Sequence, residues 1–171
     1  GNPLVSIIIP NKDSLHFLRQ CIDSIREKTT WQNYEILIVE NNSETQEIFS
    51  YYDELAQDEK MRILRFDKPF NYAAINNFAA REAKGEHVLF LNNDTQVMTE
   101  GWLTEMLMFS QRADIGGVGA KLYFEDDTIQ HAGVVTGMGG TAAHIYSGAM
   151  QYFPGYFNLL VLARNVSAVT A

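Results

Sequence analysis

The sequence has a single cysteine, Cys21, in 171 residues. An intrachain disulfide framework is therefore excluded, and the chain fits a reducing compartment. Cys21 falls in an apolar helical pattern and reads as a core residue. Long hydrophobic runs are missing too. No stretch approaches the roughly 18 apolar residues of a membrane-spanning helix. Gly1-Asn2-Pro3 leads directly into a strand-like run, without the basic and apolar regions of a signal peptide. Positive charge is scarce: 13 Lys and Arg stand against 21 Asp and Glu, a formal net charge of -8. That balance excludes a general nucleic-acid binder, whose footprint is basic. It leaves room for a nucleotide ligand, because one metal ion neutralises a phosphate pair locally. There is no internal repeat and no low-complexity linker. The composition is that expected of one soluble globular domain, or most of one.

What is present is an alternation of apolar runs and helical periodicity. Leu4 to Ile9 is a β-branched run stopped by Pro10, read as the first strand. Leu15, Leu18, Ile22 and Ile25 recur at helical spacing, with Asp13 or Ser14 placed to cap the helix and its end expected near Lys28-Thr29. Tyr34 to Val39 is the second strand. Ser43-Glu44-Thr45-Gln46 has the form of a capping box, and Ile48, Tyr52 and Leu55 continue its helix. Met61 to Phe66 is a third strand. Asn71 can cap a helix from Tyr72 to Ala83, Ala-rich enough to approach a sheet closely, with Gly85 as its C-terminal stop. Val88 to Leu91 is a continuous apolar run, as in a strand covered on both faces. A fourth helix after Thr99-Glu100-Gly101 carries Trp102, Leu103, Met106 and Leu107 on one side. This β-α order predicts an α/β fold: a mostly parallel central sheet with helices on both faces.

Beyond Arg112 the pattern changes. Gly116 to Phe124 and Ile129 to Val135 read as strands around a Glu125-Asp126-Asp127-Thr128 turn. A Gly- and Ala-rich stretch follows, then an aromatic cluster from Tyr152 to Phe157, read as core or interface. Asn165 to Ala171 reads as the opening of another strand.

Three strands end in polar residues, at Asn11 to Asp13, Glu40 to Ser43 and Asn92 to Thr95. In a parallel sheet these ends share one edge, the edge where open α/β sheets bind ligands. Asp94 there is a hard anionic ligand suited to Mg2+ or Mn2+, which take oxygen ligands and bridge to phosphates. A plain turn is the competing reading of Asn92 to Thr95. His131 and His144 are candidate metal ligands, although hard cations prefer oxygen. Lys12 and Arg81 could neutralise phosphates, but a solvated surface position is the favoured reading for both.

Ser6-Ile7-Ile8-Ile9-Pro10-Asn11-Lys12-Asp13, Ile38-Val39-Glu40-Asn41-Asn42-Ser43 and Leu91-Asn92-Asn93-Asp94-Thr95, in this order and at these separations, resemble the family 2 inverting glycosyltransferases of the GT-A fold. With Ile129-Gln130-His131-Ala132-Gly133 and Arg164 to Thr170, the set resembles a bacterial, rhamnosyltransferase-like branch that builds O-antigen and related surface glycans. The resemblance covers nearly the whole chain. It implies a Rossmann-like GT-A catalytic domain, incomplete at the C-terminus, with residues 1–112 as the nucleotide-sugar-binding part and 113–171 opening the acceptor-side part. It implies transfer from a UDP- or dTDP-sugar to a glycan or lipid-linked acceptor, a Mg2+ or Mn2+ cofactor, and a cytoplasmic location, peripheral at the inner membrane in the full-length protein.

The implied donor-site residues are Pro10, Asn11, Asp13, Glu40, Asn77, Asn92 and Asn93. Asp94 is implied as the metal ligand; His131 is a possible second on the chemistry of its imidazole alone, against the more usual reading of a hydrogen-bonded histidine. Glu40 stands where the family more often has Asp. Asn92-Asn93-Asp94 stands where it has Asp-x-Asp, so one carboxylate is replaced by an amide that keeps hydrogen bonding but loses charge. The family's general base lies on a helix downstream of a strand like that starting at Val166, and is expected beyond Ala171; Asp126 and Asp127 read as turn residues.

Two other functions fit parts of the pattern. A nucleotidyltransferase also places an acidic metal site on an α/β sheet, but the Gly-rich basic loop expected after strand 1 is missing. A non-catalytic nucleotide- or sugar-binding module needs the cleft without the chemistry.

Overall fold

The computed structural model describes residues 1–170, which form two compact units, Gly1–Glu105 and the described residues from Met106 onward. In the first unit the elements are β1 (Val5–Asn11), α1 (Leu15–Lys28), β2 (Tyr34–Glu40), α2 (Gln46–Leu55), β3 (Met61–Arg65), α3 (Tyr72–Glu82) and β4 (His87–Phe90). α4 (Trp102–Ser110) straddles the boundary between the units, upstream of the change of pattern at Arg112. Its Leu103 and Leu107 are buried, as its spacing predicts.

The four strands form one parallel sheet in the order β3-β2-β1-β4. Side chains alternate between its faces. On one face Ile8, Leu37 and Val39 meet Ile75 and Ala79 of α3 together with Phe66. The small Ala79 is what lets α3 approach, as the Ala-rich run predicts. On the other face Ile7, Ile9, Ile36 and Ile38 are fully buried. α1 and α2 pack on one another and bury Leu18, Ile22, Ile25, Ile48 and Leu55. Burying such side chains stabilises by about 1.5–3 kcal/mol each, which makes β1 and β2 the most firmly held part of the molecule.

Several details differ from the expectation. β1 does not stop at Pro10 but continues to Asn11. Asn11 O accepts from Asn41 N on the β2 side, so alternation turns the Pro10 nitrogen to the β4 side, where the last bond runs from Leu91 N to Ile8 O at 2.9 Å. Proline therefore forgoes only the next rung toward the edge strand β4 and leaves the pairing with β2 intact. β4 is an edge strand of this sheet, with Val88 and Phe90 each 39% exposed, rather than a strand covered on both faces. Gly85 is not the C-cap of α3; Ala83 holds that position in extended conformation. Asn71 does cap α3, its side chain accepting from Ala74 N at 2.9 Å.

Glu35, inside the apolar β2 run, is buried and accepts from Ser6 Oγ at 2.7 Å, Lys84 N at 2.7 Å and the Arg62 guanidinium at 3.2 Å. It ties β1, β2, β3 and the α3–β4 connection together. Burial alone would raise its pKa, but the three donors together hold its carboxyl below the usual value of 4.5. A depressed carboxyl contributes stability that is present above the unfolded value and lost as pH falls through the folded one. Glu35→Gln is therefore expected to lower Tm at pH 7. The gap to wild type should narrow as pH drops below about 4.5. A gap unchanged across a melting series from pH 7 to 3 would contradict this role.

The second unit is built of short pieces. β5 (Leu122–Tyr123) pairs antiparallel with β6 (Ile129–His131), and β7 (Val134–Thr136) with β8 (Ala142–His144). The strand expected over Gly116 to Phe124 shrinks to β5, its glycine-rich start staying irregular. The strand expected over Ile129 to Val135 divides at Gly133, whose φ of +104° no strand residue adopts. A Cβ there would lie 2.5 Å from Val166. The segment from Asn165 contributes one bridge, Ala168 to Val134, and Ala171 lies outside the described residues.

Candidate functional site: a cleft at the carboxyl edge of the sheet

β1, β2 and β4 run parallel, and their carboxyl ends meet at one edge of the sheet. A cleft of about 220 Å³ lies there, lined by Pro10, Asn11, Lys12, Ser14, Asn41, Phe70, Tyr72, Ile75, Asn92, Asn93 and Asp94. Asp94 is the one acid in this lining and Lys12 the one base. The sequence points to Pro10, Asn11 and Asn92 to Asp94, and not to the aromatic wall of Phe70 and Tyr72. Phe70 is 71% exposed. An aromatic at that exposure beside polar groups is a signal for a stacking surface that sequence alone does not carry.

The strand ends are joined by direct hydrogen bonds. Asn93 Nδ2 donates to Asn11 Oδ1 at 2.6 Å, linking the ends of β4 and β1. Asn11 Nδ2 donates to Tyr52 OH at 2.8 Å, and Tyr52 OH donates to Glu40 Oε2 at 2.9 Å, bringing in β2. Asn11, Glu40 and Tyr52 are all buried. Burial pushes the Tyr52 phenol well above the ordinary tyrosine range, with the Glu40 charge adding to the effect. Tyr52 reads in sequence only as part of an apolar helix face, so its role is a second omission.

Three implied site residues are placed otherwise than expected. Asp13 does not cap α1. With φ at +50° its carboxylate turns toward α2 and accepts from Glu44 N at 2.7 Å and Thr45 N at 2.9 Å. It thus holds the two residues that lead into α2, while the capping box expected from Ser43 to Gln46 does not form: the N-cap residue Thr45 makes no side-chain cap. The Thr45 and Glu44 N–H groups hold the Asp13 carboxyl below its usual value. Asp13→Ala is expected to cost about 1 kcal/mol, the net worth of a hydrogen bond, and to loosen the β1–α1 loop. Hydrogen exchange at Glu44 and Thr45 should rise in that variant; unchanged exchange would contradict the role of Asp13 in holding these residues.

Glu40 is not open to a ligand here: it accepts from Ser43 N at 2.6 Å and Ser43 Oγ at 2.5 Å as well as from Tyr52. Asn77 lies on the exposed side of α3 and is not part of the cleft lining. The phase set by Ile75 and Ala79 turns Asn76 inward instead. It is 5% exposed, donating to Tyr72 O at 3.0 Å, with Oδ1 unpartnered.

Asp94 is exposed, and Asn93 Oδ1 makes no hydrogen bond to the described residues. These two oxygens fit a hard divalent cation, which commonly takes one or two protein carboxylates and completes its shell with substrate phosphates and water. No cluster of three or more His, Cys, Asp or Glu able to hold a metal by itself exists among the described residues. Cys21 lies close by, its Sγ 3.8 Å from Asn92 O. Burial, with the Asp94 charge adding to it, pushes its thiol up to about 12, and Cys21 is not part of the cleft lining. Lys12 makes a long surface pair with Glu44 at 3.9 Å, an interaction of little energetic weight.

His131 and His144 belong to the second unit. Their Nδ1 atoms are 2.9 Å apart, and His131 Nε2 accepts from Thr170 N at 3.4 Å. Both ring nitrogens of the buried His131 are thus engaged within the protein. Burial, then the neighbouring His144, lowers its pKa. A cation at His131 would have to displace one of these bonds. Asp126 accepts from Thr128 N and Oγ1, which hold its carboxyl low, as in a turn and not as in a general base.

Comparison with known proteins extends this picture. The profile of the family "Glycosyl transferase family 2" matches residues 6–164. An uncharacterized protein, y4gI, of Sinorhizobium fredii is 45% identical over 175 residues, covering all of this chain and 19% of the relative. The O-antigen biosynthesis protein RfbC of Myxococcus xanthus is 47% identical over 144 residues, 84% of this chain and 11% of the relative. The chain therefore spans well under half the length of these relatives. Among solved structures, the mannosyltransferase PcManGT from Pyrobaculum calidifontis, in complex with GDP-Man and Mn2+, superposes with a TM-score of 0.64 at 19% identity, over 73% of this chain and 37% of that one. TarS of S. aureus, residues 1–349, superposes with a TM-score of 0.55 at 17% identity, over 75% of this chain and 41% of that one. Both likenesses concern the fold, and no helix of the described residues is long and apolar enough to cross a membrane. With the family profile covering nearly the whole sequence, the chain belongs to glycosyl transferase family 2, on a GT-A α/β fold.

Proposed function

We propose that this chain carries the donor site of a metal-dependent, inverting glycosyltransferase. It would move a sugar from a UDP- or dTDP-activated donor to a glycan or lipid-linked glycan in bacterial surface polysaccharide synthesis. The observation that carries the proposal is the convergence of three strand ends on one cleft with a single carboxylate, Asp94, beside a free amide oxygen of Asn93. Support for the pathway comes from the O-antigen biosynthesis protein RfbC. Support for a divalent cation and a nucleotide sugar comes from the GDP-Man and Mn2+ complex of PcManGT and the UDP-GlcNAc complex of TarS. The rhamnosyltransferase-like branch is part of the same proposal, and so is the assignment of the two units as donor-side and acceptor-side parts of one catalytic domain.

In this reading Phe70 and Tyr72 stack on the nucleobase, and the loop from Pro10 to Asp13 lies along the nucleoside. Asn93 and Asp94 face the ribose and the diphosphate, and Lys12 approaches the phosphates. Asp94 would hold a divalent cation, which would supply charge neutralisation to the leaving diphosphate. Inversion requires a base on the acceptor side, and no residue of the cleft is assigned that role.

Calorimetry with UDP, dTDP and UTP, with and without Mn2+, tests the proposal. Metal-dependent binding that favours a diphosphate is expected. A preference for UTP would point to nucleotidyl transfer, and absence of nucleotide binding at any metal concentration would overturn the donor-site assignment.

A further inference from the structure

Asn93 lies beyond the end of β4, where no ladder holds it. Its side-chain amide is oriented by the hydrogen bonds that run back through Asn11 and Tyr52 to Glu40. Each of the intermediate groups could act in either sense, since an amide presents an oxygen or an NH2 and a hydroxyl both gives and accepts. Glu40 removes that freedom. Its Oε1 faces the backbone N–H of Ser43, a group that only donates. Its Oε2 faces Ser43 Oγ, whose own oxygen already accepts from Asp13 N at 3.0 Å.

The direction then propagates. A carboxylate has no proton to give, so Tyr52 donates to Glu40, and its oxygen is left to accept from Asn11 Nδ2. Asn11 therefore turns Oδ1 to Asn93, which must answer with Nδ2. The remaining atom of Asn93, Oδ1, is the one without a protein partner among the described residues, and Asn93 lines the cleft beside Asp94. Asn11, Glu40 and Tyr52 are each at most 4% exposed, so water has little access to substitute for a missing link.

We infer that Tyr52 and Glu40, which are not part of the cleft lining, are positioning residues that set its polarity: they make Asn93 present an oxygen, and not an NH2, to a cation or a hydroxyl of the bound nucleoside diphosphate. The inference rests on the donor-site reading. It adds that the ligand preference of the cleft is controlled from α2, through Asn11.

Glu40→Gln tests it, because the change reverses the relay while keeping its shape. Ser43 N–H still requires an oxygen, so the introduced amide would turn its NH2 toward Tyr52. Tyr52 then donates to Asn11 Oδ1, Asn11 donates to Asn93 Oδ1, and Asn93 presents NH2 to the cleft. Tyr52→Phe cuts the relay instead.

Two readouts are needed. In side-chain amide exchange followed by NMR without ligand, the Asn93 NH2 protons should be protected in wild type and exchange at least about tenfold faster in Glu40→Gln, with an unchanged circular dichroism spectrum. In calorimetry, Mn2+-dependent UDP affinity should fall about tenfold in both variants. A merely structural role would lower Tm without exposing the Asn93 amide. Unchanged Asn93 protection in folded Glu40→Gln overturns the inference. If wild type shows the protection but binds no UDP, the donor-site reading fails and the relay stands. If wild type binds UDP and both variants bind it equally well, the relay does not govern the cleft.

Discussion

Asp94→Ala is expected to lower the Mn2+-dependent affinity of this chain for UDP by about a hundredfold, with little change in Tm. The size follows from what the cleft contains. Asp94 is the one carboxylate in the lining, so no neighbour can take over the cation. It is exposed and makes no hydrogen bond to the described residues that its removal would break. The loss should therefore fall on ligand binding and leave folding intact. Asp94→Asn, which keeps the shape and removes the charge, should lose nearly as much. Metal-free UDP binding should change by less than about threefold, since stacking and the Pro10 to Asp13 loop remain. Calorimetry on the three proteins with and without Mn2+ measures all of this. Full Mn2+-dependent affinity in Asp94→Ala would sink the metal assignment.

Gly85→Ala is expected to be the most destabilising single methyl in the first unit. A Cβ at Gly85 would lie 2.7 Å from Leu4 O, Ser6 N and Ser6 Oγ. Two of those three atoms are backbone of β1 and its lead-in, so they cannot swing aside as the end of a side chain would. The same shift would strain the bond from Gly85 N to Ser6 Oγ at 2.8 Å, and through Ser6 the buried Glu35. Overpacking against fixed backbone costs about 3 kcal/mol, or about 6–12 °C in Tm for a chain of this size. Gly101→Ala is the control, because a Cβ there meets nothing within 4 Å. Equal melting temperatures for the two variants would contradict the close-approach account.

These two residues show what a sequence does and does not disclose. The parallel α/β order is legible because β1 and β2 are apolar runs with helical periodicity between them. The cleft is legible because three runs end in Asn, Asp and Glu, and a parallel sheet brings such ends to one edge. Gly85 reads as a helix stop because a glycine after a helix has two physical explanations. Only the neighbouring backbone of β1 chooses between them.

The same limit explains Asp13 and Glu40. Both are acids at the carboxyl edge of the sheet, Asp13 in the loop after β1 and Glu40 at the last residue of β2, where a ligand and a neighbouring N–H compete for the carboxylate. In Asp13 the N-terminus of α2 takes it, and in Glu40 Ser43 and Tyr52 take it. Tyr52 is hidden for a related reason. Tyrosine at an apolar helical position packs its ring like any core residue, and its hydroxyl becomes informative only when its partners are known. Asn77 and Asn76 are adjacent in sequence, and the helical phase fixed by Ile75 and Ala79 decides which one is buried. β4 reads as doubly covered because four apolar residues carry no sign of whether a strand is central or at an edge.

The most direct test of the donor site is a crystal of this chain grown with UDP and Mn2+, with anomalous scattering collected at the manganese edge. The expected result is one manganese peak within coordination distance of a carboxylate oxygen of Asp94, with Asn93 Oδ1 turned toward the metal or the ribose and the uracil against Phe70 and Tyr72. A manganese and diphosphate bound away from the β1, β2 and β4 ends, or an Asn93 NH2 facing the ligand, would contradict it.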